Sequence, residues 1–475
     1  VGILATGGPG LDLDPADWGP LFRRLPGSQD HRGQIIEPLD YQTALEAAKE
    51  LAKEAQTIVV GAKFGPKNPA LEKTMLQADL AATTGPVLAA SRLFGRLNFA
   101  RRLGGAVLNG AVQKLYESFL GALRSALAER RLGCEVFVLK ADGGVMSVEE
   151  ALERPVLALA AGPAASLLGL WALSGAAAPD QTEDALMIDM GGTSSDLAIL
   201  SQGRPLLTPE GLTLAGRPTL VRGLLTHSLA LGGDTDLTLE NGAIAPKAVR
   251  RGPALALDPD NAPNRPPTLT DALNVLGRCE VGDPAISTAA FKRLRPAAPP
   301  EKTAQEAVDA VLAKLKEAYD DFLARVNDQP VYTISEFLVD YRLEPKKAAI
   351  LGGPAATLAP LVAEALKLPA TAPPEAATAN ALGAALARPT SEAELYADTA
   401  AGTLTIPTLG IQRQIGSRYS LDEAKAELLK AMGEPTAQIV FAEIFNQVSD
   451  YGESGRVMRA KAQTAPGLVG QANRP

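Results

Sequence analysis

The stretch MIDMGGTSSDLAIL, residues 187–200, constrains the fold of this chain more than any other. The apolar positions from Leu186 to Ile188 and from Leu197 to Leu200 predict two short strands joined by a tight Gly-Gly-Thr-Ser-Ser turn between two aspartates. Adjacent glycines let the backbone take positive φ and turn successive N–H groups toward one point, so such a turn can hold an anion without a lysine. Thr193, Ser194 and Ser195 add hydroxyl donors. Asp189, at the strand end, is placed to hold Mg²⁺ through water, because that ion keeps much of its hydration and takes few protein carboxylates. Asp196 would orient the turn or the same waters. The plainer reading is a hairpin loop whose Asp and Ser side chains bond their own backbone, and the stretch alone is compatible with both.

Composition frames the choice. With 475 residues, 46% hydrophobic and 21% charged, the chain has material for two or three domains with large cores. A net charge of −8 argues against a nucleic-acid surface and leaves local binding of small anions open. Cys134 and Cys279 lie far apart without metal-ligand spacing, which suggests a reducing, cytoplasmic compartment and apolar packing. His31 and His227 are too few for a histidine-rich metal site. The run from Val156 to Ala178 carries no charge, but Gly162-Pro163 interrupts it and small residues dilute it; it reads as a buried strand, a turn and a core helix rather than a membrane span. The opening VGILATGGPG has no methionine and no basic region ahead of a cleavage site, so an upstream segment, removed or encoded elsewhere, is expected.

Helical and strand signals alternate along the chain. Helix patterns at 44–56 and 107–133 lead into the strands TIVVGAKF and EVFVLKADGG, and PALEKTMLQADLAA leads toward PVLAA. A polar linker at 178–184 marks a boundary between a first lobe, 1–177, and a second, 183–390, which holds an insertion at about 245–330 with a helix at 304–326. The segment AAILGGPAATLAPLVAEALKL predicts a strand, a Gly-Gly-Pro turn and a helix. Residues 391–475 form a C-terminal extension with a helix at SLDEAKAELLKAM and a mobile tail.

Two Gly-Gly turns at strand ends in an α/β chain suit a nucleotide with its phosphates at one turn and adenosine at the other. Together, MIDMGGTSSDLAIL, LKADGGVMSVEEALERPV, AGPAAS, LALGGDTD and ILGGPAA resemble, in this order, the hydantoinase A/5-oxoprolinase family. The resemblance runs from about residue 1 to 390 and implies a two-lobed α/β fold of the actin/Hsp70/sugar-kinase-like (ribonuclease H-like) kind with inserted segments. It further implies ATP and Mg²⁺ as cofactors. Asp189, Gly191, Gly192, Thr193 and Asp196 match the family's internal phosphate motif, with Ser194 beside them, and Asp189 is the implied metal ligand. Gly352, Gly353 and Pro354 match the turn that approaches adenosine, and Gly232, Gly233 and Asp234 fall where many relatives have a GGGS run. Asp142, Gly143 and Gly144 match the segment before the lobe hinge, and Gly162-Pro163 the buried SGPAA segment. The family's opening DxGGTxTD turn has no counterpart. TGGPG at residues 6–10 lacks the strand-end carboxylate and the following hydroxyl, and reads as a loop of the first lobe.

The resemblance implies an ATP-dependent hydrolase of cyclic amides, of the hydantoinase or 5-oxoprolinase type, or a subunit of a related ketone carboxylase. Phosphorylation of the amide oxygen would make a poor electrophile reactive before ring opening. A small-molecule substrate is implied, with a hydantoinase B-like subunit or a second copy as partner, and neither nucleic acid nor membrane. Asp142 is the candidate for orienting or deprotonating the acceptor, against the plainer reading of a turn-forming Asp before Gly-Gly. Asp189 and Asp234 complete the candidate catalytic set. Arg101 and Arg102 are candidates for an anionic substrate group, against a solvated charged face, and His227 for a base, against a packed histidine. A small-molecule kinase of the same superfamily and a non-catalytic nucleotide-binding or assembly protein are the alternatives.

Overall fold

The computed structural model describes residues 1–10, 13–82, 85–174, 183–208, 210–328, 342–448 and 454–469. The chain divides into two compact units: one of residues 1–159, 208–223 and 389–466, the other of residues 160–207, 224–388 and 467–475.

The first unit is built on β1 (Gly2–Gly7), which is buried along its whole length. It pairs in parallel with β2 (Phe22–Gln29) on one side and β4 (Ile58–Ala62) on the other; β3 (Ile35–Glu37) and β5 (Val87–Ala89) close the sheet in the order β3-β2-β1-β4-β5. Two-sided burial explains why β1 and β4 read as continuous apolar runs rather than alternating ones. On one face Leu4, Ile58 and Val60 pack against Ala44 and Leu51 of the helix Tyr41–Leu51 and Met75 of the helix Ala70–Ala82. On the other, Ile3 and Val59 pack against Phe99 and Leu103 of the helix Phe99–Glu129.

Because β2 runs parallel to β1, TGGPG does not close a hairpin; with the nearby ends of β2 and β3 it lines an open cavity of about 390 Å³. A small hairpin, β6 (Phe137–Leu139) and β7 (Val145–Ser147), follows the long helix.

The second unit is built on the hairpin of β8 (Ala185–Met190) and β9 (Ser195–Ser201). The strand Lys347–Leu351 lies parallel to β8, with Leu351 opposite Asp189, and the strand Thr226–Leu229 lies antiparallel to β9. Leu186, Ile188, Leu197 and Ile199 enter one core with Leu269, Phe291, Val308 and Leu315, so the expected insertion is part of the packing of this unit. The uncharged run supplies the helix Ala161–Leu173, preceded by a 3-10 turn, Pro155–Ala158, where a strand was expected. Gly169 allows this helix to press on the helix Ala379–Leu386: a Cβ there would stand 1.9 Å from the Ala379 carbonyl oxygen. Among the described residues no helix is long and apolar enough to cross a membrane.

The C-terminal extension is a folded part of the first unit. Five antiparallel strands, including Glu392–Asp398 and Ser454–Gln463, are backed by the helix Leu421–Met432. Alternation along RVMRAKAQ buries Met458, Ala460 and Ala462, a period of two that the mobile-tail reading missed. The boundaries also differ from those expected: residues 160–174 pack in the second unit, 208–223 return to the first, and the linker 178–184 lies largely outside the described residues.

Candidate functional site

Three of the glycine turns converge within the second unit. The β8–β9 turn closes on a Gly191 N–H to Ser194 carbonyl hydrogen bond of 2.9 Å. The Gly232–Asp234 turn docks onto it: the Gly233 N–H donates to the Gly191 carbonyl at 2.9 Å and the Asp234 N–H to the Gly192 carbonyl at 2.8 Å. The Ser195 hydroxyl ties the same two segments by donating to the Leu231 carbonyl at 2.5 Å. Gly352 follows the strand beside β8, and Pro354 opens the helix Ala355–Leu366 without a side-chain cap. Three backbone turns thus meet at the ends of two parallel strands, the edge of an α/β sheet where ligands bind.

The glycines serve different purposes. Gly191 and Gly192 do not take the positive φ expected of them. Gly192 and Gly232 are needed for close approach: a Cβ on Gly192 would stand 2.6 Å from Asp234 Oδ2, and one on Gly232 equally close to the Gly191 carbonyl. Gly352 has φ +104°, and its Cβ would stand 1.8 Å from the Met190 carbonyl oxygen. A Cβ on Gly353 would meet no protein atom within 4 Å, and one on Gly191 would meet only the Ser194 carbonyl, at 3.4 Å. At those two positions the chain's own packing does not demand glycine.

Asp189 and Asp196 are cross-strand partners at the mouth of the first turn. Asp189 is half-buried and has no hydrogen bond or ion pair among the described residues. Asp196 accepts from the Ser228 hydroxyl; burial and then the Asp189 charge push its carboxyl up, partly opposed by that hydrogen bond. Thr193 and Ser194 are exposed. Among the described residues no group of three or more His, Cys, Asp or Glu could hold a metal ion. Two facing carboxylates fit Mg²⁺, which fills most of its shell with water and phosphate oxygens.

Asp234, a candidate catalytic residue, is engaged by an arginine and a backbone N–H. Its Oδ2 accepts from Arg250 Nε at 3.1 Å and Nη2 at 2.8 Å, and its Oδ1 from the Ala254 N–H at 3.1 Å. It therefore pins the 250–254 segment over the turn. Asp142 lies in the first unit, buried at 3% exposure. Its Oδ1 accepts from the Gly144 N–H at 2.9 Å; its Oδ2 accepts from Arg222 Nε at 2.9 Å and Nη2 at 2.5 Å and from the Thr390 hydroxyl at 2.8 Å. Burial alone would raise its pKa, but Arg222 and Lys140 overcome that and hold it at about 2. A carboxylate so saturated joins three stretches of the first unit, and one held at so low a pKa is a weak proton acceptor at neutral pH.

Arg102 and Arg101 are not substrate forks either. Arg102 is fully buried, donating to the carbonyls of Ala62 at 2.6 Å, Lys63 at 3.0 Å and Arg96 at 2.8 Å, and Arg101 pairs with Glu210 at 2.9 Å. His227 stacks on Phe322, and its Nδ1 lies 2.9 Å from Arg325 Nη2; burial and then that guanidinium push its pKa down. Arg222 and Arg250 were missed in the sequence. Nothing in their spacing points to Asp142 or Asp234; the doublet Arg250-Arg251 before Gly252-Pro253 is the only local hint.

Residues 102–393 match the hydantoinase/oxoprolinase family. An uncharacterised protein of Methanocaldococcus jannaschii is 25% identical over 271 residues, 52% of this chain and 38% of that relative. Among solved structures, nucleotide-free acetone carboxylase is similar with a TM-score of 0.64 at 16% identity, covering 96% of this chain and 71% of that one. ATP-dependent caprolactamase from Pseudomonas jessenii is similar with a TM-score of 0.68 at 16% identity, covering 100% of this chain and 76% of that one. The fold is a mixed α/β one, as expected, and is shared with these two enzymes. As the family match extends from the long helix of the first unit through all three converging turns, over more than half of the sequence, the chain belongs to the hydantoinase/oxoprolinase family.

Proposed function

We propose that this chain is the nucleotide-binding part of an ATP-dependent enzyme that opens cyclic amides, with Mg-ATP at the converging turns of the second unit. The observation that carries the reading is the β8–β9 turn. Two carboxylates face each other beside exposed hydroxyls, and Gly191 and Gly353 keep space that the chain's own packing does not use. Family membership and the names of the two similar structures, both ATP-dependent enzymes, support it.

In this reading Asp189 and Asp196 hold Mg²⁺, which would neutralise phosphate charge. Thr193 and Ser194 donate to phosphate oxygens, and the Gly352–Pro354 turn lies against the nucleoside. The uncapped first turn of the helix Ala355–Leu366 presents backbone N–H groups on the same side. The substrate is a lactam or cyclic imide. Its amide oxygen would take the γ-phosphoryl group of ATP, releasing ADP; water would then add to the ring carbon, the C–N bond would break with the proton going to nitrogen, and a second water would release phosphate from the resulting acyl phosphate. A hydantoinase B-like subunit or a second copy of the chain would complete the enzyme, and the two free cysteines suit a reducing cytoplasm.

The test is product analysis with hydantoin and 5-oxoproline, by mass spectrometry and phosphate assay, on the chain with and without a co-expressed partner subunit. A ring-opened product formed with ADP and phosphate supports the reading. A stable phosphorylated product would make the chain a kinase, and Mg-ATP binding without turnover of any cyclic amide would make it a binding or assembly protein.

A further inference from the structure

We propose that Arg250 is a phosphate-neutralising residue, held by Asp234 at the rim of the β8–β9 turn so that its free guanidinium nitrogen meets the nucleotide's phosphates. The inference rests on the Mg-ATP site proposed above and adds to it a cation and its positioning residue.

Asp234 Oδ2 takes two of the guanidinium's nitrogens, Nε at 3.1 Å and Nη2 at 2.8 Å, while its Oδ1 receives the Ala254 N–H. The carboxylate is itself anchored to the turn, because the Asp234 N–H donates to the Gly192 carbonyl at 2.8 Å. A Cβ built on Gly192 would stand 3.7 Å from Arg250 Nη2, so the cation lies against the turn itself. The Arg250 side chain is 41% exposed, and its Nη1 has no hydrogen bond among the described residues. One edge of the fork is fixed, with Nη2 against Gly192, and Nη1 on the other edge has no partner among the described residues.

This arrangement answers a charge problem. The rim of the turn carries Asp189 and Asp196, and a polyphosphate would bring more negative charge to the same place. Mg²⁺ offsets part of that charge, and a guanidinium presents paired donors matched to phosphate oxygens. Asp234 pre-orients the arginine, so little side-chain freedom is lost on binding. A purely structural Asp234–Arg250 pair would need no open edge on Arg250 and no position against a turn with exposed hydroxyls.

Mg-ATP binding to the whole chain is measured by calorimetry at low and high salt for the wild type, Arg250→Ala, Arg250→Lys and Asp234→Asn, with the Tm of each variant taken without nucleotide. Arg250→Ala is expected to weaken binding about tenfold to hundredfold, to flatten its salt dependence and to leave Tm within about two degrees. Arg250→Lys is expected to keep the salt dependence while losing part of the affinity, and millimolar guanidinium is expected to restore part of the binding of Arg250→Ala. Asp234→Asn is expected to weaken binding less than Arg250→Ala and to add nothing in the double variant. Unchanged affinity and salt slope in Arg250→Ala, with binding still lost in Asp189→Asn, would overturn this proposal alone. A wild type that binds no Mg-ATP would overturn the site on which it rests.

Discussion

Asp189 and Asp196 stand directly opposite each other across the β8–β9 ladder, one step from the turn that joins the strands. Like charges in that register repel, and here neither is paired with a cation among the described residues. Burial and then Asp189 raise the Asp196 carboxyl. An acid raised in the folded state binds its proton more tightly there than in the unfolded chain, so its contribution to stability falls as pH rises through the carboxylate range. Asp189→Asn is therefore expected to stabilise the metal-free protein at neutral pH by about 0.5–1 kcal/mol, with the gain fading as acid protonates Asp196. Chemical denaturation between pH 4 and 8 without divalent ions measures this; a variant less stable at neutral pH would contradict it.

Neighbouring glycines at the third turn are expected to behave in opposite ways. Gly352→Ala meets both a φ of +104° and the Met190 carbonyl and is expected to cost more than about 2 kcal/mol. Gly353→Val has open space and is expected to stay within about 0.5–1 kcal/mol of the wild type while losing Mg-ATP affinity. Thermal unfolding paired with calorimetry separates the two. Wild-type affinity in Gly353→Val would remove that turn from the site.

The Asp142–Arg222 pair sets an acid limit on the first unit. The Asp142 carboxyl is held at about 2 against an ordinary 3.8, so its contribution is present above the ordinary value and is lost as pH falls toward 2. That contribution is about 2 kcal/mol. Asp142→Asn strands Arg222 and is expected to cost about 3–5 kcal/mol at neutral pH and progressively less in acid. The same Tm as the wild type at pH 7 would contradict a structural role.

What the sequence disclosed was local. The strands around the Gly191–Ser194 turn, the strand–turn–helix at Gly352–Pro354 and the long helices follow from apolar periodicity and turn residues within a few positions. Long-range juxtapositions were not legible. Asp142 meets Arg222 only because residues 208–223 return to the first unit, and Asp234 meets Arg250 only because the chain doubles back over the turn. The direction of β2 was hidden for the same reason, since TGGPG reads alike whether the next strand comes back beside β1 or runs along it. The C-terminal sheet was misread because half of its buried positions are alanine, which blurs the contrast between inward and outward positions.

The Mg²⁺ dependence of ATP binding tests the central claim most directly. The wild type and Asp189→Asn are titrated with ATP by calorimetry, each in Mg²⁺ and in EDTA, alongside their Tm values. The account predicts Mg²⁺-dependent binding in the wild type, at least a tenfold loss in Asp189→Asn, and a Tm for the metal-free variant equal to or above that of the wild type. Equal affinity in the two proteins, or wild-type binding that is indifferent to Mg²⁺, would contradict it.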